Sequence, residues 1–208
     1  IVDVLEGRNI ATFDIPGAYL HALMPDEKMV ILKLRDYFID LMCEINPEYL
    51  EYMRYENGRK LLYLRIVRAI YGCIESALRW YILFKTTLEA EGFEVNPYDR
   101  CIANKIIDGQ QCTIGWYVDD NKLSHVDPKV VDKILEVIRS NFGDIKVTRG
   151  KEHDFLGMRI YVRDDKKIEL SMKKHLEDAI KVNGGSPNLK KVGTLKVIVG
   201  IILDTKVS

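Results

Sequence analysis

A chain of 208 residues can bury a sizeable core and form one or two domains. Its 31 basic and 31 acidic residues cancel, which excludes a uniformly basic nucleic-acid coat and leaves only local basic patches. The 4 cysteines (Cys43, Cys73, Cys101, Cys112) lack C-x-x-C spacing, which argues against a zinc finger or a secreted disulfide framework and for a reducing, intracellular setting. No apolar run reaches membrane-spanning length. Ile1 is not an initiator and no signal peptide precedes it, so the chain reads as a segment of something longer.

In chain order, Asn9 to Ile15 reads as a strand ending in an acid, Asp14, and Pro16-Gly17 then turns the chain. Ala18-Tyr19-Leu20 follows as a short helical turn or loop. Met29 to Leu34 alternates and reads as a strand with one mostly apolar face. Asp36 to Tyr52 fits no single period, although Asn46-Pro47 could open a short helix. Asn57-Gly58 between strand-like runs predicts a hairpin over Arg54 to Tyr63. Glu75 to Glu91 is helical, with Ala77, Trp80, Tyr81, Phe84 and Leu88 as an apolar stripe and Gly92 as the stop.

A second hairpin is predicted from Cys101 to Val118, turning at Asp108-Gly109. Its second strand leads into Asp119-Asp120, and Lys122 to Val126 is the next strand, which would put both acids at an exposed hairpin tip. Asp127 caps a helix that starts at Pro128 and ends at Gly143, burying Val131, Ile134, Leu135, Ile138 and Phe142. Ile145 to Thr148 reads as an edge strand. Asp154 to Val162 and Lys167 to Ser171 read as one further hairpin, and Met172 to Val182 as a helix broken by Gly184 to Pro187. Hairpins dominate, so the fold class is α+β: an antiparallel sheet with helices packed on one face.

An Asp-Asp turn is ordinary taken alone, because Asp favours turns for local reasons. With Asp14 at the end of a strand in the same sheet, however, three carboxylates would offer oxygen ligands to Mg²⁺. From Arg59 to Lys85, Arg59, Lys60, Arg65, Arg68, Arg79 and Lys85 stand against the single acid Glu75, interleaved with Tyr63, Tyr71, Trp80 and Tyr81. That pattern suits a phosphate backbone with stacked bases, and equally a solvated face. His21, His125, His153 and His175 share no metal-ligand spacing.

Four blocks in order then carry a resemblance. They are Phe13-Asp14-Ile15-Pro16-Gly17-Ala18-Tyr19-Leu20; Ile70-Tyr71-Gly72 with Trp80-Tyr81; Tyr117-Val118-Asp119-Asp120; and Phe155-Leu156-Gly157-Met158-Arg159-Ile160. Together they resemble the reverse transcriptases of copia-type LTR retrotransposons, over Phe13 to about Ile180. The resemblance implies a right-hand polymerase palm with partial fingers over 1–183, and a tail or degenerate connection segment over 184–208. It implies RNA-directed DNA polymerisation: a primer 3′-hydroxyl attacks the α-phosphate of a dNTP with two Mg²⁺ ions, Mn²⁺ being a substitute.

By the same resemblance Asp14 and Asp119 are the principal metal ligands, Asp120 is the third acid, and Ile15 adds its backbone carbonyl. Tyr19, Gly72, Tyr117 and Val118 would line the nucleotide and the primer end. Tyr19, where copia-type chains more often carry Phe, would reject a ribonucleotide 2′-hydroxyl. Phe155, Leu156, Gly157 and Met158 would form the primer grip, and Lys146 or Lys151 would be the general acid on pyrophosphate. Implied partners are an RNA or DNA template with primer, dNTP, and the RNase H and integrase segments of a Pol polyprotein. The implied setting is a cytoplasmic virus-like particle or the nucleus, with no membrane. The chain departs from the pattern at Cys73-Ile74-Glu75-Ser76-Ala77-Leu78, where the family usually reads Leu-Lys-Gln-Ala-Pro-Arg. Two cations are missing there and an acid replaces an amide, so a binding remnant of the same palm, without catalysis, is the alternative.

Overall fold

The computed structural model describes residues 1–27, 29–182 and 197–199. The chain opens with α1 (Val2–Leu5), β1 (Asn9–Asp14), α2 (Ala18–His21), β2 (Ile31–Arg35) and α3 (Tyr37–Ile45). A 3-10 turn (Pro47–Tyr52) leads to β3 (Arg54–Glu56), β4 (Arg59–Arg65) and α4 (Ser76–Ala90). Then come β5 (Glu94–Val95), β6 (Ile102–Ile107), β7 (Gln110–Tyr117), β8 (Asp120–His125) and α5 (Pro128–Phe142). The last elements are β9 (Lys146–Arg149), β10 (Glu152–Phe155), β11 (Met158–Val162), β12 (Ile168–Ser171), α6 (Lys173–Val182) and β13 (Val197–Val199). The chain therefore mixes helices with antiparallel sheet, as the hairpin-rich sequence predicts. The Gly184 to Pro187 break and the 184–208 tail lie outside the described residues, apart from Val197–Val199. Among the described residues no helix is long and apolar enough to cross a membrane.

Two compact units form: Gly17–Leu83, and Ile1–Pro16 together with the described residues from Phe84 onward. The larger unit is built on a sheet of order β5-β6-β7-β8-β1-β9, with every described pairing antiparallel. Strand alternation gives this sheet two faces. One carries Ala11, Phe13, Ile114, Trp116 and Leu123, all buried. Here α5 packs on β8 and β1, burying Val130, Val131, Ile134, Leu135, Ile138 and Phe142. Each such side chain contributes about 1.5–3 kcal/mol when fully removed from water. The Asp127 side chain accepts from Lys129 N–H at 2.8 Å, and Pro128 sits where a missing N–H costs nothing, so α5 starts where the sequence places it.

Phe84 of α4 joins the same layer, its ring 5.5 Å from Trp116 and 5.6 Å from Phe142. The buried stripe of α4 is Ser76, Trp80, Phe84 and Leu88. Its spacing of four replaces part of the predicted stripe: Ala77 is exposed and Tyr81 only half-buried. The second sheet of this unit, order β10-β11-β12-β13, contains a second departure. Asp154 to Val162 is not one strand. Leu156 and Gly157 both take positive φ (53° and 71°), and β10 turns back on β11 with Phe155 paired to Met158.

The smaller unit holds the sheet β2-β4-β3. Its β3-β4 hairpin turns at Asn57 and Gly58, with φ of 50° and 75°, the left-handed pair that Asn-Gly tolerates best. Ala22, Met24 and Ala69 are buried together there, with Tyr19, Val30, Ile66 and Leu83 packed against them.

Candidate functional site

β7 and β8 pair with Tyr117 opposite Asp120. The turn between them is therefore Val118-Asp119, not Asp119-Asp120 as the sequence suggests. Val118 has φ of 57° and Asp119 does not share the positive sign, the sign pattern of a type II′ turn. That turn normally takes glycine first; a β-branched residue there is strained by about 1–3 kcal/mol. Asp120 is thus a strand residue, half-buried, while Asp119 sits in the turn itself.

Registry then assembles the site. Asp14 pairs with Asp120 on one side and Lys146 on the other. Cross-strand partners share a face, so Lys146, Asp14, Asp120 and Tyr117 form one row at the end of the sheet, on the face opposite α5. Tyr117 is 63% exposed, leaving this row open to a ligand. Ile15, directly after Asp14, is fully buried and anchors the strand end. Lys151, the other lysine candidate, is ion-paired with Asp164 instead.

Two like charges directly opposite repel. Burial, opposed by a hydrogen bond from Leu156, pushes the Asp120 carboxyl above its usual range, and the charges of Asp119, Asp14 and Asp154 add to the rise. None of Asp14, Asp119 and Asp120 is in an ion pair among the described residues. Lys146 is the cation nearest in register, cross-strand from Asp14, and among the described residues it makes no ion pair with the three acids, which leaves their oxygens open to a divalent cation. No group of three His, Cys, Asp or Glu side chains among the described residues is arranged to hold a metal ion by itself. A Mg²⁺ ion at this row would therefore need water and substrate phosphate to complete its shell.

The Phe155-Leu156-Gly157-Met158 turn reaches this row. Leu156 N–H donates to Asp120 Oδ2 at 3.2 Å. A cavity of about 550 Å³ opens beside it, lined by Asp120, Asp154, Phe155, Gly157 and Arg159, with Lys173 from α6. Arg159 is held by Asp154 at 3.1 Å and Glu152 at 3.0 Å. His153 docks β10 on β1: its Nδ1 lies 3.2 Å from Thr12 Oγ1 and its Nε2 2.9 Å from Gly150 O. Burial pulls its pKa below the ordinary 6.5. The neutral ring with Nε2–H donating to Gly150 O and Nδ1 accepting from Thr12 satisfies both contacts.

In the sequence His153 is only one of four scattered histidines, and no motif there singles out Asn121. Asn121 is fully buried on β8; its Nδ2 donates to Asp119 O at 2.6 Å and Phe13 O at 3.3 Å. A polar amide amid strand residues was the one available signal. Tyr19 and Gly72 belong to the smaller unit; the Tyr19 ring stacks 4.6 Å from Tyr71, and Gly72 turns the chain with φ of 93°. Of the six cations from Arg59 to Lys85, three pair with acids outside that stretch, Lys85 with Glu89 at 3.3 Å among them. Lys60 meets Asp40 at 3.1 Å, Arg65 meets Asp26, Arg79 meets Glu75 at 3.1 Å, and Arg68 donates to Leu20 O at 2.9 Å.

No family model matches the sequence, and no curated protein matches it. Among solved structures, the chain is similar to the apo telomerase of Candida tropicalis truncated from its C-terminal domain: 11% identity, TM-score 0.38, covering 74% of this chain and 34% of that one. It is similar also to the telomerase of Candida albicans in complex with a fragment of telomeric RNA: 12% identity, TM-score 0.40, covering 85% of this chain and 35% of that one. The chain thus spans about a third of the length of these solved chains. At TM-scores below 0.5 the likeness assigns neither fold nor activity.

Proposed function

We propose that the larger unit is a reverse-transcriptase palm and that the chain performs RNA-directed DNA polymerisation within the Pol polyprotein of a copia-type retrotransposon. The observation that carries this reading is the register Asp14–Asp120, with Asp119 in the adjoining turn and no ion pair to any of the three among the described residues. Asp14, Asp119 and Asp120 would hold two divalent ions, Mg²⁺ or Mn²⁺, with the Ile15 carbonyl assisting. When bound, these ions supply a lowered pKa for the primer hydroxyl and charge neutralisation for the triphosphate. Leu156 N–H fixes one oxygen of Asp120 and so orients the carboxylate toward its ligand. Tyr117 and Val118 offer an exposed shelf for the primer end. Lys146, cross-strand from Asp14, holds a proton at Nζ for the departing pyrophosphate. Template with primer and dNTP are the partners of this reading, with RNase H and integrase segments of the same polyprotein beside it in an intracellular particle.

Primer extension on an RNA template with Mg²⁺ tests the reading. The wild-type chain incorporates dNTP, and Asp119→Asn lowers the rate by at least about 10²-fold, the scale of losing one preorganised electrostatic partner. Full Mg²⁺-dependent extension by Asp119→Asn would sink it. A binding remnant without catalysis is the second reading, favoured by the Glu75–Arg79 ion pair in the altered middle block. It predicts salt-sensitive binding of template–primer with no incorporation under any metal.

A further inference from the structure

The turn that presents Asp119 is held in an unfavourable conformation, and something must hold it there. Val118 occupies the left-handed region at φ 57°, where a β-branched side chain clashes with its own backbone. Such a residue persists only where its surroundings over-determine it. The β7–β8 ladder ends at Tyr117–Asp120 and does not reach into the turn. One side-chain contact that reaches in is Asn121, which grips the Asp119 carbonyl at 2.6 Å and the Phe13 carbonyl at 3.3 Å with the two hydrogens of one amide nitrogen. The flipped amide would set oxygen against both carbonyls, so the orientation is fixed by chemistry.

This arrangement comes with a structural penalty. Asn121 is fully buried, and its Oδ1 has no hydrogen-bond partner among the described residues. Its cross-strand neighbours on the same face are Phe13 and Trp116, both buried. A leucine at this place would suit that surrounding and remove the orphaned Oδ1, but it would also take away the donor that Asp119 O and Phe13 O use. What the amide adds is a tie between the turn and the end of β1. Phe13 precedes Asp14, and Asp119 O belongs to the peptide that links Asp119 to Asp120. One side chain thereby joins the backbone beside all three acids.

We infer that Asn121 is a positioning residue, its buried amide setting the spacing of Asp119 and Asp120 against Asp14 for a divalent cation. The inference rests on the polymerase reading for its use, but its test does not require polymerisation. Mn²⁺ binding to the full 208-residue chain is followed by electron paramagnetic resonance, alongside thermal melting and amide exchange at Asp119 and Asp120, for wild type, Asn121→Leu and Asn121→Asp.

The expected result is Mn²⁺ affinity about tenfold weaker in both variants, the range seen when the support behind a metal ligand is removed. In Asn121→Leu the removal of the orphaned Oδ1 offsets the two donated hydrogen bonds that are lost, so the melting temperature stays near that of wild type, while amide exchange in the turn accelerates. That separation of affinity from stability is what a merely structural role would not produce. Unchanged Mn²⁺ affinity, a loss that tracks a fall in melting temperature, or a wild-type chain that binds no Mn²⁺ overturns the inference. Mn²⁺ binding that is weakened in both variants, together with a wild-type chain that incorporates no dNTP, overturns the polymerase reading alone. Incorporation that is indifferent to Asn121→Leu overturns the positioning role alone.

Discussion

The His153 ring ties the second sheet to β1, two residues from Asp14, and its charge state decides whether that tie holds. Burial depresses its pKa below the ordinary 6.5, outweighing the carbonyl of Gly150, while Lys122 and Arg149 add repulsion to the charged form. The unfolded chain therefore takes up a proton at this side chain before the folded one does. Its contribution is complete above pH 6.5 and is lost as pH falls below that value toward the folded pKa. A melting series from pH 7.5 to 5.5 should show a falling midpoint in wild type and a shallower fall in His153→Gln. A slope identical in the two proteins would remove His153 from this role. Nothing in the sequence marked it, because its partners, Thr12 and Gly150, gain meaning only once β10 lies on β1. The acids were more legible. Asp14 was read at a strand end from Pro16-Gly17 alone, and that is where β1 stops. The Asp-Asp turn slipped by one residue because local propensity favours Asp over Val in a turn, and a strained Val118 has no propensity signal.

Among elements, turns whose chemistry matches their geometry were plain in the sequence. Asn57-Gly58 and Asp108-Gly109 both take positive φ at both residues and close the hairpins predicted for them. Leu156-Gly157 takes the same two signs, but leucine is a poor candidate for the first position. The alternation of Phe155, Gly157, Arg159 against Leu156, Met158, Ile160 also reads as one continuous strand. The hairpin forms regardless, and it brings Leu156 N–H to Asp120. A leucine in the left-handed region costs about 1–2 kcal/mol, and asparagine there costs less. Leu156→Asn should therefore raise the melting temperature by roughly 2–4 °C for each kcal/mol recovered in a chain of this size. Gly157→Val should lower it, since Gly157 sits at φ 71°. Calorimetry on both variants checks the pair, and a Leu156→Asn protein that melts lower than wild type would contradict the strained turn.

Over the whole molecule, charge is where sequence order misleads most. The stretch from Arg59 to Lys85 looks like an unopposed basic patch in the sequence, with Glu75 as its single acid. Folding brings Asp40 to Lys60, Asp26 to Arg65 and Glu89 to Lys85, so half of the six cations are paired by acids that lie outside the stretch. Exposed pairs of this kind contribute only about 0–1 kcal/mol each. A phosphate backbone can therefore displace the acids, and each displaced acid offsets part of the gain. Removing the acids should expose the latent patch. Asp26→Asn combined with Asp40→Asn frees Arg65 and Lys60 and should tighten binding of template–primer at low salt. Each freed cation that meets a phosphate releases a counterion, so the slope of log affinity against log salt should steepen by about 0.9 per contact on duplex. Affinity titrations from 50 to 200 mM salt measure that slope directly. A double variant with the wild-type slope would mean that this face meets solvent rather than nucleic acid.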